Sequence, residues 1–114
     1  GPQSATLTLD IDGKTITHRS EGNGPVDAIF NAIHALVPHK ASLELYQVHA
    51  VTAGTDAQAE VSVRLAHDGH SVTGRGADPD TLVASARGYI SALNKLQARA
   101  AKGAHLAIND RLKP

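Results

Sequence analysis

The feature that most constrains the fold of this chain is an internal repeat with an offset of 56 residues. Each copy contains a strand pattern, an Asp-Gly turn, a second strand pattern, a Gly-rich loop and a helical pattern. The chain is therefore predicted to consist of two similar supersecondary units. The offset aligns Leu7 with Val63, Leu9 with Leu65, Asp12-Gly13 with Asp68-Gly69, Thr17 with Thr73, Arg19 with Arg75 and Ala28 with Ala84.

The first copy begins with Ala5–Ile11, in which apolar and polar residues alternate as in a half-buried strand. Asp12-Gly13 favours a hairpin turn, because a tight turn requires positive φ and Asp-Gly tolerates it. A second strand is predicted at residues 14–20. Apolar residues then recur at helical spacing from Pro25, which suits a first helical turn, until Pro38 ends the pattern.

The second copy repeats this order. Residues 57–66 show the cleanest alternation in the chain, Asp68-Gly69 is a second hairpin turn, and a strand follows to about Gly76. Asp78-Pro79-Asp80 predicts a helix start with Asp78 as the N-cap, Pro79 at the first helical position and Asp80 in the first turn. The second helix is predicted from its apolar positions Leu82, Val83, Ala86, Tyr89, Ile90, Leu93 and Leu96.

A further β-prone run, Ser42–Thr52, lies between the two copies, and its apolar residues fall on both parities. A β-bulge or two covered faces would explain this pattern. Together the elements predict an α+β fold: two βββα-like units forming a mainly antiparallel sheet of about five strands, packed with two helices. The domain is predicted over residues 5–102, and residues 103–114 are expected to form a tail.

Composition excludes several classes of protein. Hydrophobic residues make up 41% of the chain and charged residues 19%, which is too apolar for disorder, and no apolar run approaches the ~20 residues of a membrane span. The net charge of zero argues against nucleic acid or an anionic membrane as main partner. Cysteine is absent, which removes disulfides and thiolate sites. Because methionine is also absent and Gly1-Pro2 resembles a protease scar, we expect a piece of a longer protein with a tag remnant at residues 1–4.

Signatures of catalysis are weak. None of the seven histidines lies at the i, i+4 spacing of a metalloprotease pair, and neither a Gly-x-Ser-x-Gly nor a complete Gly-x-x-x-x-Gly-Lys-Ser/Thr phosphate loop occurs. His67 and His70 bracket a turn and could share a metal, but solvated turn histidines are favoured because no third ligand is near in sequence. A small enzyme using His18, Asp27 and His49 is the least favoured hypothesis, since no nucleophile is paired with a base in sequence.

The Gly-rich loops carry more information about function. Gly22-Asn23-Gly24-Pro25 leads directly into a helix, whose free N–H groups and positive dipole end favour a carboxylate or phosphate. A plain helix-start turn is the structural alternative. The equivalent loop of the second copy, Gly74–Asp78, contains an acid and is predicted to be a poorer anion site.

Three stretches resemble the C-terminal regulatory domain of 2-isopropylmalate synthase: Gly22–Ala28, Leu45–Ala59 and Gly74–Asp78. The resemblance runs from about Ala5 to Leu96. It implies a non-catalytic, cytoplasmic feedback module that forms a homodimer and binds L-leucine near the dimer interface. It also implies a catalytic barrel in the same polypeptide, which holds a divalent metal and condenses acetyl-CoA with 2-oxoisovalerate; no cofactor is expected in the domain itself.

The resemblance also implies the effector-binding residues: Gly22, Asn23, Gly24, Val26, Asp27, Tyr46, Ala50, Ala53, Gly54, Ala57 and Ala77. The leucine carboxylate would be bound at the helix N-terminus and its ammonium by carbonyl groups or by a carboxylate such as Asp27 or Asp56. Two alternatives remain open. One is the same domain from a citramalate or homocitrate synthase, which would sense another amino acid. The other is a purely structural dimerisation domain.

Overall fold

The structure is a computed structural model of the chain, and it describes residues 2–11, 13–49, 57–100 and 106–108. The chain divides into two compact units. Of unit 1 the structure describes residues 2–11, 13–39 and 106–108, and of unit 2 it describes residues 40–49 and 57–100. The elements are β1 (Gln3–Ile11), β2 (Lys14–Gly22), α1 (Pro25–Leu36), β3 (Ser42–Val48), β4 (Ala59–His67), β5 (His70–Asp78), α2 (Thr81–Ala100) and β6 (Leu106–Ile108).

Unit 1 is a three-stranded antiparallel sheet covered by one helix. β1 pairs with β2 through a hairpin in which Gly13 adopts φ +79°, and β6 pairs with the other edge of β1. Helix α1 packs on β1 and β2. The alternation of β1 places its apolar residues under the helix, as the sequence predicted. The buried apolar residues are Ala5, Leu7, Leu9, Ala28, Ile29, Phe30, Ala32, Ile33 and Val37.

Unit 2 has the same architecture, with the sheet order β3-β4-β5 and α2 packed on β4 and β5. Its hairpin turn has positive φ at both central residues, Asp68 (51°) and Gly69 (76°), as a two-residue type I′ turn requires. Neither helix in the described residues is long and apolar enough to cross a membrane. The buried apolar residues are Ala59, Val61, Val63, Leu65, Val72, Ala84, Ala86, Tyr89, Ile90, Ala92 and Leu93.

Glycine lets α2 approach its sheet closely. A Cβ on Gly74 or Gly76 would overlap backbone atoms of α2, and for Gly76 these include the nitrogen of Gly88 at 2.6 Å. Gly88 lies on the facing side of the helix, where a Cβ would meet Val63 at 3.2 Å. The close contact of helix and sheet in unit 2 therefore depends on the absence of these side chains.

The predicted α+β class with two helix-covered units is confirmed. Two differences concern the strands. They are distributed over two three-stranded sheets instead of one sheet of about five strands, because each hairpin takes its third strand within its own unit. In addition, β1 begins at Gln3, before the predicted domain start, and Leu106–Ile108 forms β6 in the range expected to be a tail. Three residues are too few for alternation to be a clear signal.

The mixed parity of the central run is explained by a β-bulge. The pairing of β3 with β4 shifts register between Leu43 and Leu45, so Glu44 is the extra residue. The bulge was one of the two predicted explanations. β3 ends at Val48, and the remaining predicted positions from residue 50 onward lie outside the described residues.

The predicted N-cap of the second helix was wrong by two residues. Asp78 stays in the sheet, where it pairs with Ala59, and α2 begins at Thr81. Asp80 is the cap: its Oδ1 accepts a hydrogen bond from the Leu82 N–H at 2.8 Å, and its carbonyl accepts from the Ala84 N–H at 2.9 Å. Asp78 pairs with Ala59 in the sheet and therefore cannot be the residue that begins the helix. The spacing of residues in the sequence does not show this pairing.

Candidate functional site

The α1 corner, residues 22–27, is where β2 turns into α1. Gly24 is the N-cap, has an extended backbone (φ −156°, ψ 173°) and makes no side-chain capping hydrogen bond, while Pro25 occupies the first turn. The Gly24 carbonyl accepts from the Ala28 N–H at 2.9 Å. The N–H groups of Val26 and Asp27 precede this first intrahelical bond, so they point out of the helix start together with its positive dipole end.

A carboxylate lies beside these donors. The Asp27 Oδ2 atom accepts a hydrogen bond from the Asn23 N–H at 2.9 Å, and both residues are exposed. Asp27 accepts this hydrogen bond while its side chain remains exposed. The α1 corner therefore offers outward N–H donors and an anionic acceptor within one turn of helix, an arrangement that complements a zwitterion.

The two glycines of the α1 corner differ in what the fold requires of them. A Cβ on Gly22 would lie 2.6 Å from the Asp27 Oδ2 atom and 2.8 Å from its carbonyl carbon, so Gly22 is needed for packing. A Cβ on Gly24 would meet nothing within 4 Å, and its extended φ suits any residue. The fold does not require glycine at position 24, and open space lies beside the uncapped helix start.

The equivalent α2 corner, residues 78–83, is closed by its own side chains. Asp78 and Asp80 stand at the repeat positions of Gly22 and Gly24. Asp78 Oδ2 accepts from the Asp80 N–H at 2.9 Å, and Asp80 caps the Leu82 N–H. Arg87 lies 3.8 Å from the Asp78 carboxylate. The prediction that this loop is the poorer anion site agrees with these contacts, because carboxylates occupy the helix start.

The predicted effector residues divide between the two units and, in unit 2, between two faces of the sheet. Tyr46 lies on the face under α2, where its hydroxyl is 2.8 Å from the Ser85 Oγ atom, which in turn donates to the Thr81 carbonyl. Ala77 pairs with Glu60 and lies on the opposite face, exposed. These two side chains do not share a surface.

The remaining predicted positions are less well placed. Ala57 is half-buried just before β4. Ala50, Ala53 and Gly54 lie outside the described residues, as does Asp56. The α1 corner is therefore the part of the predicted effector set that the structure brings together within one unit.

The structure also contains a contact that sequence reasoning missed. The Ser62 Oγ atom lies 2.7 Å from the His49 Nε2 atom, so a hydroxyl does meet an imidazole. The expectation that no nucleophile is paired with a base was wrong in this respect. Ser62 is only 4% exposed, however, and the His49 N–H donates to the Glu60 carbonyl. The contact fixes the end of β3 to β4 and leaves the hydroxyl out of reach of a substrate. Period-two spacing alone does not reveal it.

The described residues contain no group of three or more His, Asp or Glu side chains arranged to hold a metal ion. His67 and His70 do face each other across the hairpin. His67, however, lies 3.2 Å from the Asp68 carboxylate, and His70 accepts a hydrogen bond from Arg99 at 3.1 Å. The two histidines therefore flank the turn, as predicted, and each has a polar partner, Asp68 for His67 and Arg99 for His70.

The fold defines an α+β module of two helix-covered antiparallel sheets in the described residues, and sequence comparison identifies its family. Residues 1–97 match the family described as the LeuA allosteric (dimerisation) domain. The chain belongs to this family of regulatory domains, and the resemblance to the regulatory domain of 2-isopropylmalate synthase is confirmed.

Relatives with high identity are themselves 2-isopropylmalate synthases. The chain is 73% identical over 100 residues to the enzyme of Methylobacterium nodulans, covering 88% of the chain and 19% of the relative. Its identity is 73% over 96 residues to that of Rhodopseudomonas palustris strain BisB18 (84% and 18%) and 66% over 107 residues to that of Afipia carboxidovorans (94% and 21%). The chain thus spans about a fifth of the length of these relatives.

Proposed function

We propose that this chain is the leucine-sensing feedback domain of a 2-isopropylmalate synthase. In this proposal the parent enzyme, a cytoplasmic acyltransferase, condenses acetyl-CoA with 2-oxoisovalerate in a separate barrel that carries a divalent metal. The domain itself holds no catalytic residue and no cofactor, and it pairs with a second copy of itself. Its family membership and its relatives support this assignment.

The observation that carries the proposal is the open α1 corner. An amino acid presents a carboxylate and an ammonium group a few ångströms apart. The outward N–H groups of Val26 and Asp27 suit the carboxylate, and the exposed carboxylate of Asp27 suits the ammonium. Gly24 leaves room beside them, since a Cβ there would meet nothing within 4 Å. The neighbouring half-buried Val26 supplies apolar surface for the isobutyl group.

Feedback inhibition requires differential affinity. Leucine shifts the barrel toward its inhibited conformation only if it binds the domain more tightly in that conformation than in the active one. The α1 corner is suited to this, because a ligand bound there would contact both the end of β2 and the start of α1.

Isothermal titration calorimetry on the 114-residue chain tests the proposal, with leucine, isoleucine and lysine as ligands. We expect saturable heat from leucine and weaker or no heat from the others. Tighter isoleucine or lysine binding would instead support a citramalate-type or homocitrate-type sensor, and no heat from millimolar leucine would contradict leucine sensing by this chain.

Substitution of Asn23 by Trp tests the location of the site. Asn23 is exposed and contributes its backbone N–H to Asp27, so the substitution should leave folding intact while the indole blocks the α1 corner. Lys14→Trp is the matched control, since Lys14 is exposed at the far end of β2. Unchanged leucine affinity in the Asn23 variant would place the site elsewhere.

A structural dimerisation domain is the second candidate. It is favoured by the contact between Asn23 and Asp27, which already satisfies part of the α1 corner without a ligand. Thermal unfolding separates the two, because a ligand that binds only the folded state must raise the melting temperature. A leucine-independent melting temperature together with a stable dimer would favour the structural role.

A further inference from the structure

A second cluster of polar side chains lies at the opposite end of unit 2 from the α2 corner. A cavity of about 360 Å³ opens where the β4–β5 hairpin turn meets the last turns of α2, and it is lined by His67, Asp68, His70, Leu96 and Arg99. β5 runs nine residues from this cavity to Asp78, a distance of roughly 26 Å at the rise of a strand. None of the lining residues belongs to the predicted effector set.

The lining residues are held in place by one another. His67 and His70 are the closing pair of the hairpin, directly opposite in register. Arg99 Nη2 donates to His70 Nδ1 at 3.1 Å, which leaves the proton of the neutral ring on Nε2. His67 Nε2 lies 3.2 Å from the Asp68 carboxylate. Two imidazoles and a guanidinium are therefore oriented around one opening before any ligand arrives.

Donors outnumber acceptors in this cluster. Arg99 has five N–H donors and uses one on His70, and the Nε2–H of His70 is a further donor. One turn away, Lys95 donates its ammonium to the Thr73 carbonyl at 2.5 Å and adds positive charge along the same side of α2. Asp68, the one carboxylate among the described lining residues, is already beside His67, and its side chain is 83% exposed. Leu96 adds an apolar wall.

We propose that this cavity, which we call the hairpin cavity, binds the oxyanion group of a small organic acid or phosphate ester. Arg99 binds the oxyanion through paired N–H groups, the geometry in which guanidinium recognises carboxylate and phosphate. His70 donates a further hydrogen bond from Nε2, and Leu96 contacts the apolar part of the ligand. The site is independent of leucine binding at the α1 corner.

The test is a titration of the 15N-labelled 114-residue chain, followed by 1H–15N correlation spectra. Sodium phosphate and sodium isobutyrate are the probes, and sodium chloride at equal ionic strength is the baseline. Saturable shifts confined to the amides of residues 67–70 and 95–99 support the proposal. Shifts that do not saturate, or that lie elsewhere in the chain, overturn it.

Variants locate the binding group. Arg99→Gln should weaken binding of either probe at least tenfold, whereas Arg87→Gln should change it less than twofold, because Arg87 lies on the same helix beside Asp78 and outside the cavity. Equal affinities in the two variants would mean a diffuse charge effect and would overturn the site.

The two probes also distinguish the class of ligand. If the natural ligand is an organic acid, isobutyrate binds more tightly than phosphate, and Leu96→Ala weakens isobutyrate alone. If it is a phosphate ester, the order reverses and Leu96→Ala has no effect on inorganic phosphate. Titration of the Arg99→Gln variant with leucine is the independent readout. The leucine affinity of this variant should equal that of the parent chain, because leucine is proposed to bind at the α1 corner.

Discussion

Units 1 and 2 share one backbone plan and differ in how each helix meets its sheet. β1 and β2, shifted by 56 residues, coincide with the bounds of β4 and β5, and α1 and α2 begin at equivalent residues, Pro25 and Thr81. The hairpin registers also match, since Gln3 pairs with Gly22 and Ala59 with Asp78. Because the strand registers of the two units are the same, differences between the units can be attributed to the side chains that differ.

The first difference lies under the helix. The positions of Gly74, Gly76 and Gly88 in unit 2 are taken in unit 1 by His18, Ser20 and Ala32. Glycine allows α2 to lie against the strand backbone, and α2 is 20 residues long against 12 for α1. Unit 2 therefore buries a long helix closely, whereas unit 1 has side chains between its helix and β2.

The second difference lies at the helix start. Asp80 caps α2, while Gly24 leaves α1 uncapped and places open space next to the Asp27 carboxylate. Unit 2 satisfies its helix start with its own side chain, whereas the start of α1 has no side-chain cap. In the proposed function, the uncapped N–H groups of unit 1 bind the ligand.

The largest expected effect is on the packing of α2. Gly76→Ala would place a Cβ against the backbone of Ala84 and Gly88, which cannot move as a side chain can. We expect the free energy of unfolding to fall by about 3 kcal/mol. The matched change in unit 1, Ser20→Ala, should cost less than about 1 kcal/mol. Urea denaturation measures both, and equal losses would show that the two helices pack alike.

The next prediction concerns a substitution that gives the α1 corner the capping residue of the α2 corner. Gly24→Asp supplies the cap that Asp80 provides in unit 2, in a backbone conformation that tolerates a side chain. We expect leucine affinity to fall at least tenfold, about 1.4 kcal/mol, because the new carboxylate competes for the N–H groups. Stability should rise by a few tenths of a kcal/mol. Calorimetry and thermal unfolding measure the two quantities, and retained affinity would disprove the role of the open corner.

A third effect concerns alkaline pH and the buried phenol of unit 2. Burial raises the pKa of Tyr89 from 10.0 to about 12. The unfolded chain therefore loses this proton first, so the stabilising contribution is complete below pH 10 and is lost as pH rises toward 12. We expect the unfolding free energy to fall by about 1.4 kcal/mol at pH 11 through this group. Its repeat partner, Ile33, does not titrate.

Tyr89→Phe is the control for this pH effect. The difference in unfolding free energy between the parent chain and the variant should be constant from pH 7 to 9 and should shrink above pH 10. A constant difference up to pH 11 would mean that the phenol ionises equally easily in the folded and unfolded states.

The smallest effect removes the cap itself. Asp80→Ala deletes the 2.8 Å contact with the Leu82 N–H, and we expect a loss of about 1 kcal/mol. Gly24→Ala, at the equivalent position of unit 1, should change stability by less than about 0.5 kcal/mol, because no side-chain cap is lost. Thermal unfolding of both variants decides whether the two helix starts differ in this way.

Local signals predicted much of the fold. The two Asp-Gly turns, the alternation of β1 and β4 and the proline at the start of α1 each act over a few residues, so they were visible without tertiary information. Asp78 was misassigned as the N-cap because its pairing with Ala59 is a contact distant in sequence. β6 was not predicted for a similar reason, since a three-residue strand is identified only by its pairing with β1.

The candidate site divides in the same way. Gly22–Asp27 is contiguous, so the α1 corner could be read from sequence as a helix start with a nearby acid. The separation of Tyr46 from Ala77 by the thickness of a sheet could not, because it depends on which face α2 covers. The hairpin cavity likewise needed the return of α2, which brings Arg99 to His70 across 29 positions.

The sequence by itself determined the repeat, the two hairpins and the two amphipathic helices, because hydrophobic periodicity and turn chemistry act between near neighbours. Only the tertiary structure decided which helix start is closed, which glycines the packing requires and which histidines meet a partner. Those outcomes depend on contacts between residues far apart in the chain, and such contacts form only when each helix packs on its own sheet.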